Sequence, residues 1–168
     1  MAAARDDFTE FYEASYGRVV ALVGAMTGDR HQAEDIAQEA FARALARWPK
    51  IARYDIPEAW VRRVALRLTI DSSRRVRRAI RASAVLAWRQ RDDKPDLLAS
   101  TALTLALMRL PLPQRQVVVL YYLADLPVQE IARDCGISVG AVRTRLAVAK
   151  RRLERELSED DEGVPDAR

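Results

Sequence analysis

Residues 127–153 read PVQEIARDCGISVGAVRTRLAVAKRRL, and this stretch decides the fold. Ile131, Ala132 and Cys135 recur on one face of a first helix. Gly136 stands where a tight turn between two helices calls for positive φ, a conformation that costs a residue without Cβ nothing. Ser138 is an N-cap, and Val139, Val142, Leu146, Ala149 and Leu153 then mark a buried stripe at spacings of three and four. Between them lie Arg143, Thr144, Arg145, Lys150, Arg151 and Arg152. The pattern is a helix-turn-helix whose second helix suits a major groove.

The rest of the chain is judged against this segment. Its 168 residues suffice for one ordinary domain or two small ones, and an apolar share of 49% supports real cores. No apolar run approaches membrane-spanning length, and the start, MAAARDDFTEFYE, lacks the basic region and apolar core of a signal peptide. A soluble, cytoplasmic protein is expected, with no direct membrane insertion. Cys135 is the single cysteine and His31 the single histidine, so neither an internal disulfide nor a zinc site is expected. Cys135 reads as buried packing. No cofactor is called for.

The net charge of +4 conceals a strong asymmetry. Residues 62–81 hold eight arginines against Asp71, and residues 138–155 hold six basic groups against Glu154. Six acids and one arginine follow Arg155. Two separated basic patches point to a long polyanion, because a compact acidic partner would need only one.

Apolar periodicity gives an all-α fold of two small helical domains joined by a linker, the C-terminal one a helix-turn-helix. Phe8, Phe11, Tyr12, Ser15, Val19, Leu22, Val23 and Met26 share a face until Thr27-Gly28 ends the first helix. Asp29 caps the next, with Gln32 completing a capping box, and its stripe runs from Ala33 through Phe41 and Leu45 to Trp48. Pro49 is expected to stop it, and residues 50–56 to form a loop. Pro57 opens a long third helix through Trp60, Val61, Val64, Ala65 and Leu68 that reaches Arg75 or Arg78. Residues 1–78 form the first domain and residues 79–100 a linker, which includes Asp92-Asp93-Lys94-Pro95-Asp96. A helix starting near Leu97 leads out of the linker into the second domain, residues 101–157, which has a break at Pro111-Leu112-Pro113, a helix from Gln114 to Leu123 and the helix-turn-helix. Val117, Leu120, Tyr121 and Leu123 are its expected core. The acidic tail, residues 158–168, is expected to be disordered.

Each patch suggests a chemistry. Gly140 and Ala141 are small enough to let the recognition helix approach DNA closely. Arg143, Thr144 and Arg145 are placed for base edges or phosphates, and Lys150, Arg151 and Arg152 for phosphates farther along. Ser138 and the helix N-terminus beside it could hold a phosphate. Which arginine reads a base stays open. In the first domain, aromatic groups beside the basic third helix suit single-stranded DNA, since unpaired bases stack while arginine holds the backbone. Tyr54, in a loop, is the better stacking candidate, while Trp60 reads as packing against Phe41 or Trp48. The outer face of the second helix carries Glu34, Asp35, Gln38, Glu39, Arg43 and Arg47. This mixed surface suits a protein partner or plain solvent.

Taken together, these residues resemble a bacterial RNA polymerase sigma factor of the extracytoplasmic-function group, the type with regions 2 and 4 only. AEDIAQEAFARALARW (33–48) is similar to the polymerase-binding helix of region 2. PEAWVRRVALRLTIDSSRR (57–75) is similar to its −10 element helix, and residues 110–153 resemble region 4. The resemblance implies a factor that binds core RNA polymerase, through its β′ clamp and β flap, and promoter DNA. Asp35, Gln38, Glu39 and Arg43 would meet the polymerase, with Phe41 and Leu45 packed behind them. Residues 50–56, with Tyr54, would form a pocket for a flipped non-template base. Arg62, Arg63, Arg67, Asp71, Arg74 and Arg75 would lie along the −10 DNA. Ser138, Gly140, Ala141, Arg143, Thr144, Arg145, Lys150, Arg151 and Arg152 would face the −35 duplex. An anti-sigma factor is a further implied partner. Arg67 stands where the family often has asparagine, and Ser72 or Ser73 where it has a bulkier residue.

The rival readings explain less. A conventional helix-turn-helix regulator accounts for residues 127–153 but leaves residues 33–48 and the arginine-rich helix without a task. An RNA-binding helical adaptor would prefer RNA to promoter DNA. An enzyme fits least, because acids such as Asp71 and Asp134 have no partner constellation and no phosphate-loop or H-E-x-x-H motif is present.

Overall fold

A computed structural model describes residues 2–82 and 102–161, and among these residues there is no strand. The chain divides into two units, Met1–Asp96 and Leu97–Arg168. The first unit contains α1 (Ala2–Thr27), α2 (Arg30–Leu45), the short α3 (Trp48–Ile51) and α4 (Pro57–Ala82). The second contains α5 (Ala102–Arg109), α6 (Leu112–Val118), a π-helical turn (Val119–Leu123), α7 (Val128–Cys135) and α8 (Val139–Asp161). Most of the expected linker, the expected helix start at Leu97 and the last seven residues lie outside the described residues.

Local chemistry sets the boundaries in the first unit. Gly28 ends α1 at φ 71°, with its N–H bonded to the Gly24 carbonyl at 2.8 Å. Asp29, extended at φ −129°, caps α2 by accepting from the Gln32 N–H at 3.0 Å. Only half of the expected capping box forms, because the Gln32 side chain donates to Ser72 Oγ instead. The expected stop at Pro49 falls differently as well. α2 ends at Leu45, and Pro49 sits in the first turn of α3, where its missing N–H needs no partner. Trp48 therefore enters the core from α3, and only residues 52–56 remain as loop before α4.

Alanine and aromatic residues divide the work in this core. Ala33, Ala37, Ala40 and Ala44 bring α2 close to its neighbours, while Val19, Val23, Ile36, Phe41, Trp48, Ile51, Val61 and Ala65 fill the space between helices. Phe11 stacks on Trp48 at 4.8 Å, and Tyr12 meets Phe41 edge-on at 5.0 Å. Complete burial of a ring such as Phe41 is worth about 1.5–3 kcal/mol. Leu45, expected behind the polymerase-facing residues, is exposed at the last position of α2.

The second unit also departs from its simple pattern in one place. Val117 and Leu120 are buried as expected, together with Val118 and Val119. Tyr121 and Leu123, expected in the core, are 40% and 58% exposed. The reason is the π-helical turn, in which the Ala124 N–H reaches the Val119 carbonyl five residues back. The extra residue in that turn carries Tyr121, Tyr122 and Leu123 off the buried face. Leu110, Val118 and Ala149 form a core with Leu107, Leu146 and Leu153 around them. Arg115 seals the end of α5 by donating to the carbonyls of Met108 and Leu110 at 2.7 and 2.9 Å, and its burial lowers its pKa. α8 continues through Asp161, so the first four residues of the expected disordered tail are helical.

Candidate DNA and polymerase interfaces

Gly136 makes the turn that positions α8. It adopts φ 66° and ψ 38°, and its N–H bonds back to the Ala132 carbonyl. Ile137 donates to the same carbonyl at 3.0 Å. Ser138 Oγ then accepts from the Ala141 N–H at 3.1 Å, the expected N-cap. Val142 and Ala149 are buried and fix the rotation of α8. On the opposite side Gly140, Arg143, Thr144, Lys150 and Arg151 are exposed together with Ser138.

Two of the candidate −35 arginines are only half-exposed. Arg145 is half-buried and close enough to α7 to act electrostatically on Cys135. Arg152 is half-buried in a cleft of about 320 Å³ beside α5, with Arg109, Arg155 and Glu156. Arg109 and Glu156 form an ion pair across that cleft. Cys135 itself is half-buried rather than fully buried. Desolvation pushes its thiol up to about 11, neighbouring Asp134 adds to the rise, and Arg145 opposes it.

In the first unit, α4 is rotated relative to the simple sequence reading. Val61, Arg62, Ala65, Leu66 and Thr69 are buried, while Trp60, Val64 and Leu68 are half-buried at the edge of the core. This rotation corrects the assignment of Arg62 to the DNA face: it is only 8% exposed. Glu58, one turn earlier, receives two hydrogen bonds from Arg18 of α1, at 3.1 and 2.5 Å. Arg67, Asp71, Arg74 and Arg75 are exposed, and Arg63 is half-buried. Tyr54 is exposed in the 52–56 loop. Trp60 packs against the core as expected, but its remaining surface lines a cleft.

The candidate polymerase-facing residues Asp35, Gln38, Glu39 and Arg43 are all exposed on α2. Glu39 and Arg43 pair at 2.7 Å. Arg43 also lines the cleft of about 390 Å³ that contains Trp60, Arg63 and Arg67 of α4. Arg47 lies there too, with its guanidinium carbon 6.0 Å from the centre of the Trp60 ring. Sequence reasoning placed Arg47 on a mixed outer face without a task. Its relation to Trp60 depends on how the end of α2 meets α4, which helical periodicity does not contain.

The fold defines a two-unit helical protein with a helix-turn-helix in the second unit. Comparison with known proteins narrows the class. Residues 11–79 match the family model for Sigma-70 region 2, and residues 100–153 match that for Sigma-70, region 4. The chain is 30% identical to the ECF RNA polymerase sigma factor SigW of Bacillus subtilis, over 91% of this chain and 90% of that protein. It is 31% identical to the RNA polymerase sigma-E factor of Streptomyces antibioticus, over 94% of this chain and 90% of that one. In fold it is similar to the sigma factor RpoE crystallised with the anti-sigma factor NepR from Bartonella quintana. That likeness has a TM-score of 0.70 at 19% identity, over 90% of this chain and 97% of that chain. A likeness to CnrH in complex with the cytosolic domain of CnrY has a TM-score of 0.65 at 21% identity, over 95% of both chains.

The chain belongs to the extracytoplasmic-function RNA polymerase sigma factors, and its function is promoter-specific transcription initiation. A conventional helix-turn-helix regulator is set aside, since that reading leaves the region 2 match at residues 11–79 without a role. Among the described residues no helix is long and apolar enough to cross a membrane.

Proposed function

We propose that the first unit joins core RNA polymerase and handles the −10 element, while the second reads the −35 element as duplex. The observation that carries this reading is the presence of region 2 and region 4 matches on one chain, in that order. Asp35, Gln38 and Glu39 on α2 are the polymerase contacts, and the β′ clamp and β flap are the partner surfaces. Tyr54 takes an unpaired base, and Arg63, Arg67, Asp71, Arg74 and Arg75 line the path of the opening strand. Arg143 and Thr144 approach base edges, while Lys150 and Arg151 hold phosphates. The region between the units serves as a linker, and the protein works in the cytoplasm.

The mechanism is differential binding. Contacts to duplex −35 DNA and to polymerase anchor the complex, and capture of an unpaired base offsets a melting cost of a few kcal/mol. An anti-sigma factor is a further proposed partner, supported by the related fold of RpoE, which was solved with one.

Run-off transcription with core RNA polymerase on a promoter library tests this reading. Transcripts from a defined promoter class are expected, with Arg143→Ala altering −35 dependence and Tyr54→Ala impairing opening. A premelted −10 template should rescue the Tyr54 variant more than the Arg143 variant. Absence of any transcript together with absence of core binding would overturn the proposal.

A further inference from the structure

The cleft between α5 and the distal half of α8 is lined by Arg109, Arg152, Arg155 and Glu156, beside Ala106 and Leu110. Glu156 is engaged in its ion pair with Arg109. Among the described residues no carboxylate pairs with Arg152 or Arg155. Arg152 is half-buried, so an anion that meets it there is attracted more strongly than at a fully exposed arginine.

The chain that follows is acidic. Residues 159–166 read EDDEGVPD, with Glu159, Asp160, Asp161, Glu162 and Asp166 as carboxylates. The last turn of α8 holds no basic residue, the reverse of what the helix dipole favours at a C-terminus. Helix formation does not account for these acids, and such a departure from local preference points to a task outside the helix.

We propose that residues 162–168 fold back into this cleft, where Glu162 and Asp166 meet Arg152 and Arg155, and that the docked segment competes with −35 DNA for the basic end of α8. The competition rests on the reading of α8 as the −35 helix given above, whereas the docking does not. Length permits the contact. From Arg152 to Asp161, the end of α8, the helix rises about 14 Å. Residues 162–166 span about 17 Å when extended, so Asp166 reaches back to the level of Arg152. Gly163 and Pro165 suit the reversal, since glycine just past a helix accepts the left-handed turn and proline cannot continue the helix. A tethered segment also has an effective concentration of about millimolar, which a separate acidic peptide lacks.

The effect on DNA follows from neighbouring positions. Arg151, exposed and proposed above as a phosphate contact, shares a groove on α8 with Arg152 and Arg155. Arg155 is one turn beyond Arg151, about 6 Å along the axis. That separation is inside the screening length of about 8 Å at physiological salt. A carboxylate seated on Arg155 therefore repels a phosphate approaching Arg151, and duplex DNA must displace it.

The first test uses the full chain without polymerase, carrying Cys135→Ser and Ala167→Cys with a nitroxide attached at position 167. The amide signals of Ala106 and Leu110 are expected to broaden at low salt and to recover at high salt. Arg152→Gln/Arg155→Gln should abolish the broadening, as should Arg155→Gln alone if the double substitution disturbs α8. The second test uses holoenzyme and a fluorescein-labelled duplex with the −35 element of a promoter from the run-off library. Glu162→Gln/Asp166→Asn is expected to bind it about fivefold more tightly at low salt, the equivalent of releasing two exposed ion pairs. That gain should vanish in the Arg152→Gln/Arg155→Gln background. An equal gain in both backgrounds would overturn the proposal, because the acids would then act as diffuse charge. Unbroadened cleft amides would overturn the docking, and weaker duplex binding by the arginine variant would then make the cleft a DNA contact. Broadening passed from a labelled chain to an unlabelled one would overturn it too, in favour of a second copy's tail. Failure of the parent chain to transcribe would remove the −35 reading and the competition, while the broadening still decided the docking.

Discussion

The side-chain amide of Gln32 donates a 2.8 Å hydrogen bond to Ser72 Oγ, and thereby ties the first turn of α2 to α4. Both side chains are half-buried. The Ser72 hydroxyl thereby has a structural task. Ser72→Ala is expected to cost about 1 kcal/mol in urea unfolding, because the Gln32 amide loses a partly desolvated partner. Gln32→Ala should cost a similar amount, and the double variant should cost less than the sum of the two. Strictly additive losses would show that the bond contributes nothing to stability.

Arg62 and Arg67 look equivalent in sequence and are separated by burial. Arg62→Ala is expected to destabilise the first unit by about 1–3 kcal/mol, because Arg62 is buried on the inward face of α4, as Leu66 is. Arg67→Ala should leave unfolding within about 0.5 kcal/mol of the parent, as exposed substitutions usually do. It should lower run-off transcription from duplex templates more than from premelted ones. Urea titration and transcription on the two templates distinguish the variants, and a stability loss from Arg67→Ala would contradict the assignment.

Gly136 isolates the conformational cost of the helix-turn-helix. Nothing lies within 4 Å of the position a Cβ would occupy, so substitution there adds no clash with neighbouring residues. The remaining cost is that of φ 66° for an L-residue, about 1–2 kcal/mol. Gly136→Ala should therefore lower the unfolding free energy by that amount, and Gly136→Asn by less. Both should retain −35-dependent transcription below their unfolding temperatures. A much larger loss in the alanine variant would mean that α7 and α8 have shifted.

Cys135 gives the second unit a pH signature at the alkaline end. Burial holds its thiol neutral and pushes its pKa up to about 11. In the unfolded chain the thiol ionises earlier, so its contribution is intact below the unfolded pKa. It is lost as pH rises toward 11. Stability should therefore fall with rising pH across that window, and Cys135→Ser should flatten the slope. Alkylation by iodoacetamide near neutral pH should be slow in the folded chain and fast in urea. Equal rates in the two states would show that the thiol is accessible.

Much of this protein was legible in the sequence because it follows from properties of single helices. The spacing of Ile131, Ala132, Val142, Leu146 and Ala149, with Gly136 between two periodic runs, suffices to place the helix-turn-helix. Asp29 and Ser138 mark helix starts because a cap is a local hydrogen bond. The all-α class, the two basic patches and the family resemblance rest on the same kind of local pattern. Periodicity also indicates that α4 has a buried side.

Tertiary structure decided how each helix is rotated and what shares a surface with what. Arg62 is buried and Arg67 exposed because α4 packs with Val61, Ala65 and Thr69 inward. Tyr121 and Leu123 reach solvent because a π-helical turn changes the register after Leu120. Arg47 meets Trp60 only because the end of α2 lies against the first turns of α4. A sequence pattern records the period of a helix, whereas its rotation is set by the partners against which its side chains pack.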